Sequence, residues 1–405
     1  MNNPEVIVVG AGISGLSFAW KAAMAGRKSL VLEERNRIGG CIYSYRCEDG
    51  YWYELGAHTV YNSYSSLLEI AKESDLADTL IQRGPARVHF GLLKKGEIDW
   101  LTPPRILLRL NWLEAALYAP IGFFRSKRGR SLSQYYSSLL GPGNFRRVLS
   151  PFFAAVPSQP ADDFPAEGPG SLFKKRDRRK EYPRSFGFPG GLQDLCDAIA
   201  AHPNIEVRRQ SRVTGVHASE DDFVLDMEDG NTLKTRILAI ATSHKKASAL
   251  LQNSYSNLSN AIGQIGTVRL ESLGARIERS KCRLPECAFV VPVDDIFYSA
   301  VTRDPFPDPN WRAFAFHFRT GSTRQEKIKC ICELLHVSPS DLDGVEENHT
   351  ELPAPRVNHA EIIAAIQMLL EGNRLALLGN YINGLAIEDC ILRSHDEWLR
   401  LQRSV

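Results

Sequence analysis

The sequence predicts a mixed α/β chain. A parallel sheet wound by helices forms one domain, and an α+β second domain of mixed sheet and helices is interleaved with it. Three observations predict this. The chain opens with an apolar run, VIVV (6–9), followed by a glycine-rich turn and a helical pattern. A second strand, SLVLEE (29–34), follows that helix and ends in acids. Helix and strand patterns resume from 186, and a further strand, glycine loop and helix start come at 375–391, close to the end of the chain.

The first turn carries Gly10, Gly12 and Gly15 in the spacing GxGxxG. The first glycine permits a tight turn, the second lets backbone approach a pyrophosphate, and the third lets helix pack on strand. The helix start at Ile13 and Ser14 offers free N–H groups and a positive dipole end to phosphates. Glu33 stands about 20 residues beyond the fingerprint, where a carboxylate can accept both ribose hydroxyl protons, and Glu34 is the alternative. Three glycines alone are a weak signal. Strand, turn, helix, strand and acid in order predict a Rossmann-type FAD/NAD(P) site.

Composition bounds the remainder. A chain of 405 residues, 43% hydrophobic, can bury a sizeable core and has room for two or three domains. No apolar stretch reaches the length of a spanning helix, and no basic-then-apolar leader opens the sequence. The eight cysteines form no CxxC pair and no cluster with zinc spacing, so no metal is expected and reduced thiols in a cytoplasmic protein are. Net charge is only +2, but 79–180 holds 18 Lys/Arg against 7 Asp/Glu. That imbalance suits either a solvated basic face or an anionic partner. No nucleic-acid module is recognisable.

Along the middle, 63–74 has helical spacing, and 132–140 and 145–153 form a helical pair broken by Gly141-Pro142-Gly143. The segment 157–169 reads as a loop, and KKRDRRK (174–180) as a solvated charge run. FGFPGGLQDL (186–195) starts a helix whose Leu192, Leu195 and Ile199 share one face, followed by the strand 205–216. Residues 223–242 read as a hairpin and then a buried strand. Residues 286–302 and 312–318 read as strands and 324–335 as a helix. Segments 1–78, 184–250 and 352–405 are assigned to the nucleotide-binding domain. Segments 79–183, basic and helical, and 251–351 are assigned to the substrate domain.

The pattern E-x-R-x-R-x-G-G, through Glu33, Arg35, Arg37, Gly39 and Gly40, resembles flavoproteins of the monoamine oxidase superfamily. Many members follow the glycine pair with Arg, and this chain has Cys41. YELGAHTVY (53–61), FPGGLQDL (188–195), FVVPVDD (289–295) and LLGNYINGLAIEDCI (377–391) sharpen the likeness. The whole chain resembles oxygen-dependent protoporphyrinogen (coproporphyrinogen) oxidase-type flavoproteins, chiefly through Asp389-Cys390-Ile391.

The resemblance implies FAD as cofactor, held by Gly39, Gly40 and Cys41. Gly56, Ala57, His58 and Thr59 would lie beside the ring, Val213 on the adenine, and Ala241 and Thr242 near the first turn. Gly379 and Asn380 would flank the pyrophosphate. Gly384 would let backbone pass under the ring, and Leu385, Ala386 and Ile387 would start a helix aimed at the flavin edge.

It also implies hydride transfer to flavin N5, with oxygen as acceptor and peroxide as product. The substrate is then a small molecule, and an anionic one would meet Arg87, Arg105 and Arg109. No catalytic base is identifiable. His58 is a candidate near the flavin, and Lys281 reads better as a surface lysine. The alternatives are an amine or amino-acid oxidase, a non-redox flavin mutase using His58, and a non-catalytic FAD-binding protein. The segment 110–124, apolar and followed by RSKRGR, reads either as a core helix or as peripheral contact with an anionic bilayer. Oligomeric state has no signature in the sequence.

Overall fold

The structure is a computed structural model, and it describes residues 4–219 and 222–403. Five parallel strands form its first sheet, in the spatial order Ile205–Arg208, Ser29–Leu32, Val6–Val9, Ile237–Ile240 and Leu375–Leu377. Val6–Val9 is buried on both faces, as its uninterrupted apolar run requires. On one face lie the Ile13–Met24, Gln193–Ala200 and Ile387–Gln402 helices, joined through Phe18, Leu195, Ile391 and Trp398. On the other lie the Val213–Ala218 hairpin layer and the helices His244–Leu251, Ser256–Gly263 and His359–Leu370. The predicted order of elements in this unit is observed except at 205–216, read as one strand, which splits into Ile205–Arg208 of this sheet and Val213–Ala218 of a separate antiparallel sheet; the fold is α/β with a Rossmann-type sheet.

A second sheet has seven strands: Asp343–Ala354, Gly266–Glu278, Trp311–Phe318, Phe297–Thr302, Phe289–Pro292, Phe90–Lys94 and Glu97–Leu101. Only Phe289–Pro292 and Phe90–Lys94 pair in parallel, so strands from both halves of the predicted second domain meet at this junction. The Arg324–Leu335 helix covers it, with Thr323 and Glu326 forming a capping box. The Ser256–Gly263 helix packs on the His244–Leu251 and His359–Leu370 helices, and its Leu258 and Ile262 belong to the core cluster that includes Ile7 and Val9 of the first sheet.

The basic segment folds as a helical layer: Pro103–Leu108, Trp112–Gly122, Leu132–Leu140 and a composite helix from Pro142 to Ala155. Gly141-Pro142-Gly143 ends one helix and starts the next. Five residues, Phe145–Leu149, follow π geometry within the second.

Candidate active site

Two cavities meet at the carboxyl ends of the parallel strands. The first encloses about 780 Å3. Gly10 begins its floor at φ 105°, and a Cβ there would stand 2.7 Å from the Ala241 carbonyl oxygen. Gly12 faces open space apart from Gly40 Cα, so two bare backbones flank the cavity. Gly12 is also the N-cap of the first helix and supplies no capping side chain. The N–H groups of Ile13 and Ser14 are therefore left toward the cavity. Gly15 and Gly39 lie behind the wall. Gly15 packs against the Gly10 carbonyl, and Gly39 N–H donates to Ala11 O at 2.8 Å.

Glu33 is 8% exposed and lines this cavity. Its two oxygens accept from the backbone N–H of Ala11 (2.8 Å) and of Arg35 (3.0 Å). Each oxygen keeps a second lone-pair direction for a ribose hydroxyl. Glu34 also lines the cavity but is paired with Lys246. Arg35, Cys41, Val213, Ala241, Thr242, Gly379 and Asn380 share the wall. Arg37 does not. It donates to Gly40 O and Ile42 O and lies 4.1 Å over the Tyr43 ring, so it holds the glycine turn in place. Burial pushes the Cys41 thiol upward, so it stays protonated.

The second cavity encloses about 740 Å3. It shares Cys41, Ala57, Leu270, Thr350, Asn380 and Leu385 with the first, so the two are joined rather than separate. Gly56, His58, Thr59 and Ala386 lie on this second wall, and Ile387 on both. Ala386 is the N-cap of the Ile387–Gln402 helix and caps it with no side chain. Both acids of that first turn are already engaged. Glu388 accepts from Ser66 N and Leu67 N (2.8 and 3.1 Å), while Asp389 pairs with Lys174 (3.1 Å) and Arg176 (2.7 Å). The helix start is therefore left as an electropositive end at the junction of the two cavities.

Gly384 lines neither cavity. A Cβ there would meet the Asp389 carboxylate at 2.6 Å, so crowding by Asp389 explains this glycine and no passage under a ring is needed. Arg87 lines the second cavity, but Arg105 and Arg109 do not. Arg109 is bound to Asp99, and both arginines sit on or at the end of the exposed Pro103–Leu108 helix. Lys281 is exposed, pairs with Glu278 and Asp341, and is absent from both walls.

Several wall residues escaped sequence reasoning. Arg83 is 7% exposed and donates to Thr59 Oγ1 at 2.9 Å. It has no carboxylate partner among the described residues, and its Nε is unpaired. Lys174 and Arg176 come from the run read as solvated. Residues 174 to 177 alternate half-buried and exposed, an alternation that the uniformly charged sequence KKRD does not carry. His317 accepts or donates at Nδ1 with Ser272 Oγ (2.8 Å), while its Nε2 has no partner. Its ring stacks on His58 at 6.2 Å between centroids. Burial pushes His58 down to about 4 and His317 to about 3, so both are neutral at pH 7.

The family pattern described as flavin containing amine oxidoreductase matches residues 13–304. The chain belongs to that family. That family is one of flavin-containing oxidoreductases, and FAD is the cofactor it implies. Curated relatives include 15-cis-phytoene desaturase of Synechococcus elongatus, 33% identical over 113 residues, which are 28% of this chain and 24% of the relative. A flavin-containing amine oxidase of Danio rerio is 34% identical over 89 residues, 22% of this chain and 17% of the relative. The matches thus span about a quarter or less of those proteins. Among solved structures, a proposed protoporphyrinogen oxidase of Exiguobacterium superposes with TM-score 0.81 at 17% identity over 100% of both chains. Cyclohexylamine oxidase of Brevibacterium oxydans superposes with TM-score 0.71 at 14% identity over 99% of this chain and 100% of that one. Likeness at such identities is a likeness of fold.

Proposed function

We propose that the chain is an FAD-dependent oxidase that dehydrogenates a small molecule bearing carboxylates, in the manner of a protoporphyrinogen oxidase. The observation that carries this reading is the charge of the second cavity. Arg83, Arg87, Lys174, Arg176, Arg178 and Arg184 line it, and its one carboxylate, Asp389, is already paired with two of them. Such a wall attracts carboxylates and repels a protonated amine. An uncharged polyene would leave the cations other than Lys174 and Arg176 without an anionic partner.

Gly10, Gly12, Ile13 and Ser14 would hold the cofactor pyrophosphate, Glu33 the ribose, and Val213 the base. Leu385–Ile387 would hold the ring edge where the cavities join. Bound there, FAD supplies the hydride acceptor, and oxygen is the proposed final acceptor. The arginines orient the substrate. His58 and His317 furnish a neutral, water-poor wall in which those charge-assisted contacts gain strength. In this reading 1–78, 184–250 and 352–405, with the Ser256–Gly263 helix added, form the FAD-binding domain. The remainder of 79–183 and 251–351 forms the substrate domain. The eight cysteines are unpaired, which supports a reducing, cytoplasmic setting.

The test is peroxide release over a panel of porphyrinogens, amines and amino acids. Carboxylate-bearing porphyrinogens are the expected substrates. Arg83→Met and the more exposed Arg184→Met should each raise KM about tenfold or more with a smaller change in kcat. Turnover of simple amines with porphyrinogens inert would overturn the reading.

A further inference from the structure

Large apolar side chains stand in solvent at one place in this fold far more than elsewhere. Nine of the twenty large hydrophobic residues exposed among the described residues fall within 107–124. Leu113 is 80% exposed, Leu117 76%, Phe123 79% and Phe124 87%. Isolated exposed leucines need no explanation, but a contiguous cluster does.

The helix that carries them, Trp112–Gly122, is a built element. Asn111 caps it, its side chain accepting from Leu113 N and Glu114 N at 3.1 Å. Glu114 accepts from Gly143 N (2.6 Å) and Asn144 N (3.1 Å) and pairs with Arg147, which ties the helix to the next layer. Its inward face is small. Ala115 and Gly122 are buried, and a Cβ on Gly122 would stand 2.1 Å from the Ser138 carbonyl oxygen. Its outward face is large: Leu113, Leu117, Ile121 and Phe124 recur at three- and four-residue spacing. A helix packing into a water-soluble core places its large residues inward. Small residues toward the protein and large ones outward is the arrangement of a helix whose outer surroundings are themselves apolar.

The charges around the face select among apolar surroundings. Arg105, Arg109, Arg125, Lys127, Arg128 and Arg130 flank it, and Glu114, the one acid from 103 to 130, is already engaged. Arg105, Arg125 and Arg128 have no carboxylate partner among the described residues. At about 16 Å the helix is too short to cross a bilayer, and no described helix is long and apolar enough to do so.

We propose that the Trp112–Gly122 helix, with Leu107, Leu108, Phe123 and Phe124, docks the protein in the plane of an anionic lipid bilayer. The outward stripe enters the acyl boundary and the flanking arginines meet phosphate headgroups. The core-helix reading of 110–124 is thereby replaced. This inference does not depend on the substrate. The helical layer that holds the face does continue into Phe152 and Ala155, which wall the substrate cavity, so docking and cavity share one support.

Flotation of the full-chain, FAD-loaded protein with extruded vesicles tests it. We expect at least about tenfold tighter partition onto phosphatidylcholine vesicles carrying about 30% phosphatidylglycerol than onto phosphatidylcholine alone. The triple variant Leu113→Ser, Leu117→Ser, Phe124→Ser should lose at least about tenfold on both, with flavin content unchanged because these side chains are exposed. Arg125→Glu with Arg128→Glu should remove the preference for the anionic lipid while leaving the apolar stripe intact. Wild-type protein that stays in the soluble fraction with both vesicles overturns the proposal. So does a dimer that the triple variant converts to monomer in the absence of any vesicle binding, because a second copy then covers the face.

Discussion

Glu33 shows what a single carboxylate does in the proposed FAD site. It is buried, it already ties Ala11 and Arg35 backbone to the second strand, and it still borders the cavity. Glu33→Ala should therefore weaken FAD binding by about tenfold to a hundredfold, read by fluorescence titration of apoprotein, whereas Glu34→Ala, which removes only a pair with Lys246, should change it little. Glu33 and Gly10 were legible because strand, turn and acid fix their place along the chain. Arg83 was not. It lies in a short connection with no motif, and only the folding of 83 against Thr59 brings it to the wall. His58 and His317 bear on pH dependence. Held neutral by burial, with values of about 4 and 3, neither changes charge between pH 6 and 8. The kcat/KM profile should lack an imidazole limb near 6.5, and its appearance would show that one of these rings is more hydrated than the fold implies.

At the scale of elements, the Ile387–Gln402 helix does most to join the two cavities. Its first-turn acids are used as anchors. Glu388 caps the Ser65–Glu73 helix, and Asp389 holds Lys174 and Arg176. Asp389 is 6% exposed, so Asp389→Asn leaves two cations without their partner. It should cost about 2–3 kcal/mol, seen as a lower urea midpoint with m unchanged. The Asp-Cys-Ile sequence was legible as a family likeness, but its physical task, clamping 174–176 onto the site, needed the fold. The Arg324–Leu335 helix was legible to its ends, because its periodicity and capping residues are local. The helix at 112–122 was legible as a helix but not in its orientation, since an apolar pattern does not say which side faces outward. Small residues at 115, 119 and 122 held that information.

At the scale of the molecule, the parallel sheet was readable chiefly through Val6–Val9, Ile237–Ile240 and Leu375–Leu377, apolar runs each followed by a helix. The seven-stranded sheet was only half readable. The edge strand Asp343–Ala354 and its neighbour Gly266–Glu278 are long and rich in charge, so they lack the apolar signal that marks a buried strand. Buried histidines set the stability of the whole. Burial pushes His58 and His244 down to about 4, and His317 and His395 to about 3. The unfolded chain protonates such rings near 6.5, so it binds more protons than the folded chain below that pH. Their stabilising effect is complete above 6.5 and is lost as the pH falls toward 4. Glu54, pushed up to about 7 by burial, acts in the opposite sense, its contribution being lost as the pH rises through 7. Four rings outweigh one carboxyl, so Tm should fall by about 5 °C or more between pH 7 and pH 5 in thermal unfolding.

The central claim is that a flavin oxidoreductase of this family has a cation-walled cavity suited to carboxylate-bearing substrates. Anaerobic mixing of the FAD-loaded protein with candidate substrates, followed by loss of the oxidised flavin absorbance, tests it most directly because no acceptor is needed. Carboxylate-bearing porphyrinogens should bleach the flavin, and Arg83→Met should slow bleaching at low substrate while leaving the saturated rate nearly intact. Bleaching by a simple amine, with porphyrinogens leaving the spectrum unchanged, would contradict it.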